Sequence, residues 1–306
     1  MITKNKKEGI KTMKIKNLKL IAAASVILVS SLFSKELAST SVSSKATQRV
    51  LNGENQSPGI SVLNINNIAY WIGKDGAYTT AGSPNGTMAD YPIFTGGFIY
   101  SDGMLWGAKV KGDGQGDEVR VGGSTYYHGL KAGRIITDAD GNVLGSDDPV
   151  NNHVWRVRKD WASADLTVDA ANYYAVGTGD VTAAQIAVVK NQYEYDWYNW
   201  PAAWGAPYHD VNGDGSYDPA VDVPGYPGAD QTMWTIANDV PLIVNADGDS
   251  IGYQSTAPNL YGADPIGIEL QITLWGYAFG ASDPLGNNIF KQAKMKYMGL
   301  PGTPDG

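Results

Sequence analysis

Asp-Gly and Asn-Gly dipeptides recur through the first half of this chain, at Asp75-Gly76, Asn85-Gly86, Asp102-Gly103, Asp113-Gly114 and Asp140-Gly141. Such pairs accept the positive φ angles that tight hairpin turns demand. Short apolar-aromatic runs lie between or beside them, at 60–72, 97–100, 105–110, 118–121, 125–128 and 134–137. The spacing predicts a string of antiparallel strands rather than a βαβ alternation. An antiparallel β-sandwich is the architecture expected from it.

The middle of the chain has a different character. Residues 163–174 and 182–197 carry helical spacing. In the second, Thr182 followed by Gln185 forms a capping box, and Ile186, Val189, Tyr193 and Trp197 recur every three or four residues until Pro201 ends the pattern. Strand signals return at 232–238, and Asp247-Gly248 marks another hairpin. Residues 266–279 form the longest alternation, with Ile266, Ile268, Leu270, Ile272 and Leu274 on one face and Glu269, Gln271, Thr273, Trp275 and Tyr277 on the other. A partner at 288–298 is expected beside it, across the turn at 282–286.

The expected fold class is therefore mainly β, sandwich-like, with a helical insertion and a calcium-type loop in the middle. Its parts are a signal peptide at 1–38, a Ser/Thr/Asn-rich lead-in at 39–58, a β-rich region at 59–150, the insertion with its loop at 151–231, and a second β-rich region at 232–306. The last is expected to be continuous with 59–150, and its closing run of turn residues reads as a truncated C-terminus.

The leader reading rests on a lysine-rich start followed by a 14-residue apolar run at 20–33. That run is short of the roughly 20 residues a membrane-spanning helix needs, so no stable span is expected after cleavage. Of 23 basic and 31 acidic residues, eight lysines and two glutamates fall within 1–38, which leaves 15 basic, 29 acidic and a net charge of −14. An acidic surface favours divalent cations and argues against nucleic acid, which needs clustered Lys and Arg. With no cysteine in 306 residues, disulfide staples are excluded, and an extracellular fold must rely on its core or on metal.

The metal expectation comes from Asp210-Val-Asn-Gly-Asp-Gly-Ser-Tyr-Asp218 and the Asp222 that follows. A hard cation such as Ca²⁺ takes six to eight oxygens, supplied by a loop at alternating positions around a tight turn. Asp210, Asn212 and Asp214 fill positions 1, 3 and 5, Gly215 the turn at position 6, and the Ser216 carbonyl position 7. Position 12 is Val221 instead of Glu, so Asp218 or Asp222 must close the site. That departure points to a structural Ca²⁺ clip and away from a regulatory EF-hand. Asp138-Ala-Asp-Gly-Asn142 and Asp247-Gly-Asp249 read as hairpin turns.

Tyr193, Tyr195, Trp197, Tyr198, Trp200 and Trp204 cluster just before this loop. Core packing is the first reading of so many large rings. A sugar-stacking platform on Trp197, Trp200 and Trp204, with Glu194 and Asp196 as an acid–base pair on a glycoside, is the alternative. His128, His153 and His209 show no zinc spacing, and the serine-hydrolase elbow and nucleotide-binding glycine loops are missing. No catalytic residue is expected.

The stretches 197–210, 222–231, Val121-Gly-Gly-Ser-Thr-Tyr-Tyr-His-Gly-Leu130 and Pro265-Ile-Gly-Ile-Glu-Leu-Gln271 resemble a group of large secreted proteins of the Bacteroidota and Ignavibacteria. Members carry a C-terminal type IX secretion sorting domain, and most have no assigned activity. The resemblance implies an extracellular or outer-surface setting and no catalytic residue to carry over. The expectation is a calcium-stabilised structural or adhesion protein whose partners are extracellular glycans or other surface proteins, with a carbohydrate-binding or carbohydrate-hydrolysing module as the alternative.

Overall fold

The computed structural model describes residues 59–76, 85–111, 117–125, 129–147, 152–240 and 264–300. The leader, the lead-in, and the turns expected at Asp113 and Asp247 lie outside them, as does most of the 125–128 run. Within them the protein is mainly β. Fifteen strands accompany two α-helices among the described residues, and every strand pairing is antiparallel.

A five-stranded sheet organises the fold. Its central pair is β13 (Gln231–Asn238) and β14 (Ile268–Gly276), with β15 (Phe290–Tyr297) outside β14. Along the other edge of β13 lie β10 (Trp155–Arg158), against its first half, and the short β7 (Lys131–Ala132), against its end. The alternation expected at 266–279 and the partner at 288–298 are both present. Both faces of the alternation are covered: Glu269, Gln271 and Thr273 are buried along with the rest of β13 and β14.

Each face of the sheet has its own cover. On one, Met233, Leu270, Ile272 and Leu274 share a core with Leu63, Tyr70 and Ile72. Those three come from a four-stranded sheet of β1 (Ile60–Leu63), β2 (Ala69–Gly73), β3 (Ala89–Asp90) and β4 (Gly97–Ile99). The run at 60–72 is thus two strands, split where the Asn66 side chain accepts the Ile68 N–H at 3.0 Å. On the opposite face Trp155, Val157, Trp234 and Ile236 pack against Trp200 and Ala206.

Two hairpins complete the strands. β5 (Leu105–Lys111) pairs with β6 (Asp117–Gly123), and β8 (Ile135–Thr137) with β9 (Val143–Ser146). The Asp138 turn closes the second, its carboxylate accepting the Asp140 and Asn142 N–H groups at 3.0 and 2.8 Å.

Helix α1 (Thr167–Tyr174) and helix α2 (Ala183–Tyr198) fall where helical spacing predicts them. The capping box opens α2: Thr182 Oγ1 accepts the Gln185 N–H at 3.2 Å, and Gln185 Oε1 accepts the Thr182 N–H at 2.8 Å. The middle region is nevertheless more than a helical insertion, since it supplies β10 to the main sheet. Trp155 and Val157 point into the core at a spacing of two, and the intervening Arg156 disguises the strand.

Candidate metal centre

Helix α2 delivers the chain to the acidic loop. After Tyr198 the segment turns through Pro201 and Gly205, and Trp200 anchors it by donating from Nε1 to the Pro207 carbonyl at 2.8 Å. A two-residue ladder then ties the ends of the loop together, β11 (Tyr208–His209) pairing with β12 (Val223–Pro224). Residues 210–222 are the excursion between these strands. Its far side is fastened to α2, where the Tyr217 hydroxyl donates to the Trp197 carbonyl at 2.5 Å.

Inside the loop the carboxylates hold the backbone. Asp210 accepts the N–H groups of Gly213 at 2.7 Å and Gly215 at 2.8 Å. Both glycines have positive φ, 75° and 77°, which a side chain would resist. Asn212 accepts the Asp214 N–H at 3.1 Å and donates to Asp214 Oδ2 at 2.9 Å, and Asp214 accepts the Ser216 N–H at 2.8 Å. Asp222 is the interior carboxylate, 2 % exposed, and takes Val211 N–H at 2.9 Å and Asp218 N–H at 2.8 Å. Asp218 is exposed and accepts the Ala220 N–H at 2.9 Å. Between the two closing residues foreseen in the sequence, Asp222 is the one that points inward.

The electrostatics of the loop are one-sided. Among the described residues, no ion pair reaches Asp210, Asp214, Asp218 or Asp222. The neighbouring phenols register the field: burial raises the Tyr208 hydroxyl above its ordinary range, with Asp210, Asp222 and Asp214 adding to the rise. Tyr217 is raised by burial and then by Asp222 and Asp218. A carboxylate offers about four lone-pair sites, and Asp210 uses two of them on N–H groups, so acceptor capacity remains. Among the described residues no three Asp, Glu, His or Cys side chains converge tightly enough to hold a metal ion as they stand.

The aromatic cluster is divided between core and surface. Trp200 is buried, Trp197 and Trp204 are half-buried, and Tyr198 is exposed. Glu194 lies at the surface, whereas Asp196 is completely buried, bonded to His153 Nε2 at 2.8 Å and to the Arg156 N–H at 2.7 Å. An acid–base pair must reach a glycosidic bond from both sides. Asp196 reaches no solvent, so the pair foreseen as an alternative is not assembled.

What sequence reasoning missed is a buried polar knot next to that pair. Asp169 of α1 accepts from Arg156 at 2.5 Å, from Arg158 at 2.7 Å and from the Tyr193 hydroxyl at 2.5 Å. Asn64 accepts from Arg156 at 2.8 Å, and Gln231 donates to Tyr193 at 2.6 Å. The signal lay in two periodicities: Arg156 alternates with Trp155 and Val157, and Asp196 sits on the face of α2 that carries Val189 and Tyr193.

No protein-family profile matches the chain. Neither a curated protein nor a solved structure matches it.

Proposed function

We propose that this chain is a non-enzymatic secreted or cell-surface protein with a structural or adhesive role, stabilised by Ca²⁺ at the 210–222 loop. The observation that carries the reading is four carboxylates within thirteen residues, none with a basic partner among the described residues, in a loop fastened at both ends and to α2. A divalent cation is the counter-charge such a loop lacks. Asp210, Asn212, Asp214, the Ser216 carbonyl and the inward-pointing Asp222 would hold it, with Asp218 at the rim.

A cation that binds the folded chain and not the unfolded one stabilises it by RT ln(1 + [L]/Kd). At ten times Kd that amounts to about 1.4 kcal/mol, or a rise of about 3–5 °C in the midpoint for a chain of this size. Extracellular calcium modules bind at roughly 0.1–1 mM, which suits the surface setting that the resemblance implies. Thermal melts in millimolar Ca²⁺ and in EDTA test this, and Asp210→Asn with Asp214→Asn is the informative variant. Asparagine removes the charge and keeps one acceptor oxygen, so at position 210 it can hold the Gly213 or the Gly215 N–H but not both, a small cost in an exposed loop. The expected result is loss of the calcium-dependent shift with little change in EDTA. Identical melts of the parent chain in calcium and EDTA would sink the reading.

A further inference from the structure

Asparagine precedes glycine at 52, 85 and 212. Glycine leaves the chain free to bring its nitrogen against the asparagine side chain, so such pairs lose their amide without an enzyme. At 212 the Gly213 nitrogen would give its proton to solvent and attack the Asn212 side-chain carbonyl carbon, closing a succinimide ring and expelling ammonia. Water then opens the ring, leaving aspartate when it breaks the new bond and isoaspartate when it breaks the original peptide bond. The amide and a water become a carboxylic acid and ammonia.

Asn212 and Gly213 are both exposed, and no non-adjacent atom lies within 4 Å of where a Gly213 Cβ would stand, so water has free access to the reacting groups. The hydrogen bonds of the loop act the other way. The Gly213 N–H donates to Asp210 Oδ1 at 2.7 Å, so the nitrogen that must lose its proton is held on a carboxylate, whose charge disfavours a second negative charge beside it. Asn212 Oδ1 accepts the Asp214 N–H at 3.1 Å, and its Nδ2 donates to Asp214 Oδ2 at 2.9 Å, so the amide is pinned at both ends. Ring closure draws the carboxamide carbon onto the nitrogen, and these three bonds resist that motion.

We propose that Asn212 is a latent deamidation site, silent while the 210–222 loop is closed and converted when it opens. The rate of conversion then follows the open fraction of the loop. Either product alters the loop that makes it. Aspartate adds a fifth carboxylate to those of Asp210, Asp214, Asp218 and Asp222, and isoaspartate lengthens the backbone between Asp210 and the two glycines it holds. The inference shares this loop with the calcium reading but rests on its hydrogen bonds alone, and its test is run in EDTA so that the two fail separately.

The full chain is incubated in mildly alkaline buffer with EDTA, folded and in urea, and peptide mapping by mass spectrometry reads amide against acid at Asn212. Urea gives the intrinsic rate. In buffer conversion should be slower by about tenfold or more, the combined weight of three hydrogen bonds. Asp210→Ala, which frees the Gly213 N–H, should speed conversion in the folded chain by about threefold to tenfold. Molar salt, which screens the charge of the loop and leaves its bonds in place, should leave the parent rate nearly unchanged. The proposal is overturned if Asn212 converts as fast in buffer as in urea, or if Asp210→Ala leaves its rate at the parent value. Acceleration by salt equal to that of Asp210→Ala would make charge the brake and overturn the role of loop opening.

Discussion

Two acid-rich regions of this molecule neutralise their charge in opposite ways. In the knot beneath α1 and α2, Asp169 is 1 % exposed and meets two guanidinium groups and a phenol. In the 210–222 loop four carboxylates meet backbone N–H groups and the Asn212 amide but no cation among the described residues, and all but Asp222 lie at or near the surface. Burial explains the difference. An ion taken out of water must be paired or it costs several kcal/mol, whereas a solvated carboxylate can stand with no cationic partner. The knot therefore belongs to the folded state whatever the solvent, and the loop leaves its counter-charge to the solvent.

The strongest way to break this comparison is to remove the centre of the knot. Asp169→Ala strips Arg156 of its charged partner and leaves a guanidinium that is 1 % exposed. Breaking a buried pair from one side costs about 3–5 kcal/mol. Urea denaturation should show a loss of that order in calcium and in EDTA alike. The exposed Asp214 offers the control, since Asp214→Ala in EDTA should cost about 0.5 kcal/mol or less. Equal losses at the two sites would mean that burial does not separate them. The double replacement Arg156→Met with Asp169→Leu sharpens the point: it should cost less than Asp169→Ala alone, because no charge is left stranded.

Asp222, the buried carboxylate of the loop, comes next in size. It differs from its loop neighbours in being buried, and the hydrogen bonds it accepts from Val211 and Asp218 are themselves part-buried. Asp222→Ala leaves the Val211 and Asp218 N–H groups without their acceptor, at a cost of about 1–3 kcal/mol even without metal. Asp222→Asn retains one acceptor and should lose less in EDTA, while still weakening the calcium response. A loss confined to calcium-containing buffer for both variants would show that Asp222 serves the cation alone.

These contrasts also explain what could be read in the chain beforehand. The Thr182–Gln185 capping box, the Asp138 turn and the alternation through Ile268–Leu274 were legible because each is decided within a few neighbouring residues. That 210–222 leaves the strands as a turn-rich loop was legible for the same reason, whereas the burial of Asp222 beside the exposed Asp218 needed the structure. The buried state of Glu269 and Gln271 could not be read locally. Glu269 accepts the Ile135 N–H at 3.1 Å, and Gln271 donates to the Trp204 carbonyl at 2.9 Å, so their cover comes from 134 and 67 residues away. The knot is still more dispersed, uniting Asn64, Arg156, Asp169, Tyr193 and Gln231. Arginine in a strand and aspartate on a helix read as solvent-facing until the partners that bury them are known.

Asp102 lies between the two extremes and gives the smallest predicted effect. It accepts from the Tyr70 hydroxyl of β2 at 2.5 Å and from Lys291 of β15 at 2.7 Å, joining the four-stranded sheet to the edge of the larger one. Its side chain is 36 % exposed. Burial acts to raise its carboxyl, but the bonds from Lys291 and Tyr70 outweigh it and hold the group below the ordinary carboxylate range. The folded chain therefore binds this proton less readily than the unfolded one. Its stabilising contribution is present above the unfolded value near 4 and fades as the pH drops through the folded value. Solvent screening keeps that contribution to about 1 kcal/mol or less. Asp102→Asn should accordingly lower the melting midpoint slightly at pH 7 and converge with the parent chain in acid, once the pH has fallen below the depressed folded value. If the gap persisted undiminished in acid, Asp102 would be acting through packing or neutral hydrogen bonds. Its place between knot and loop would then rest on geometry and not on charge.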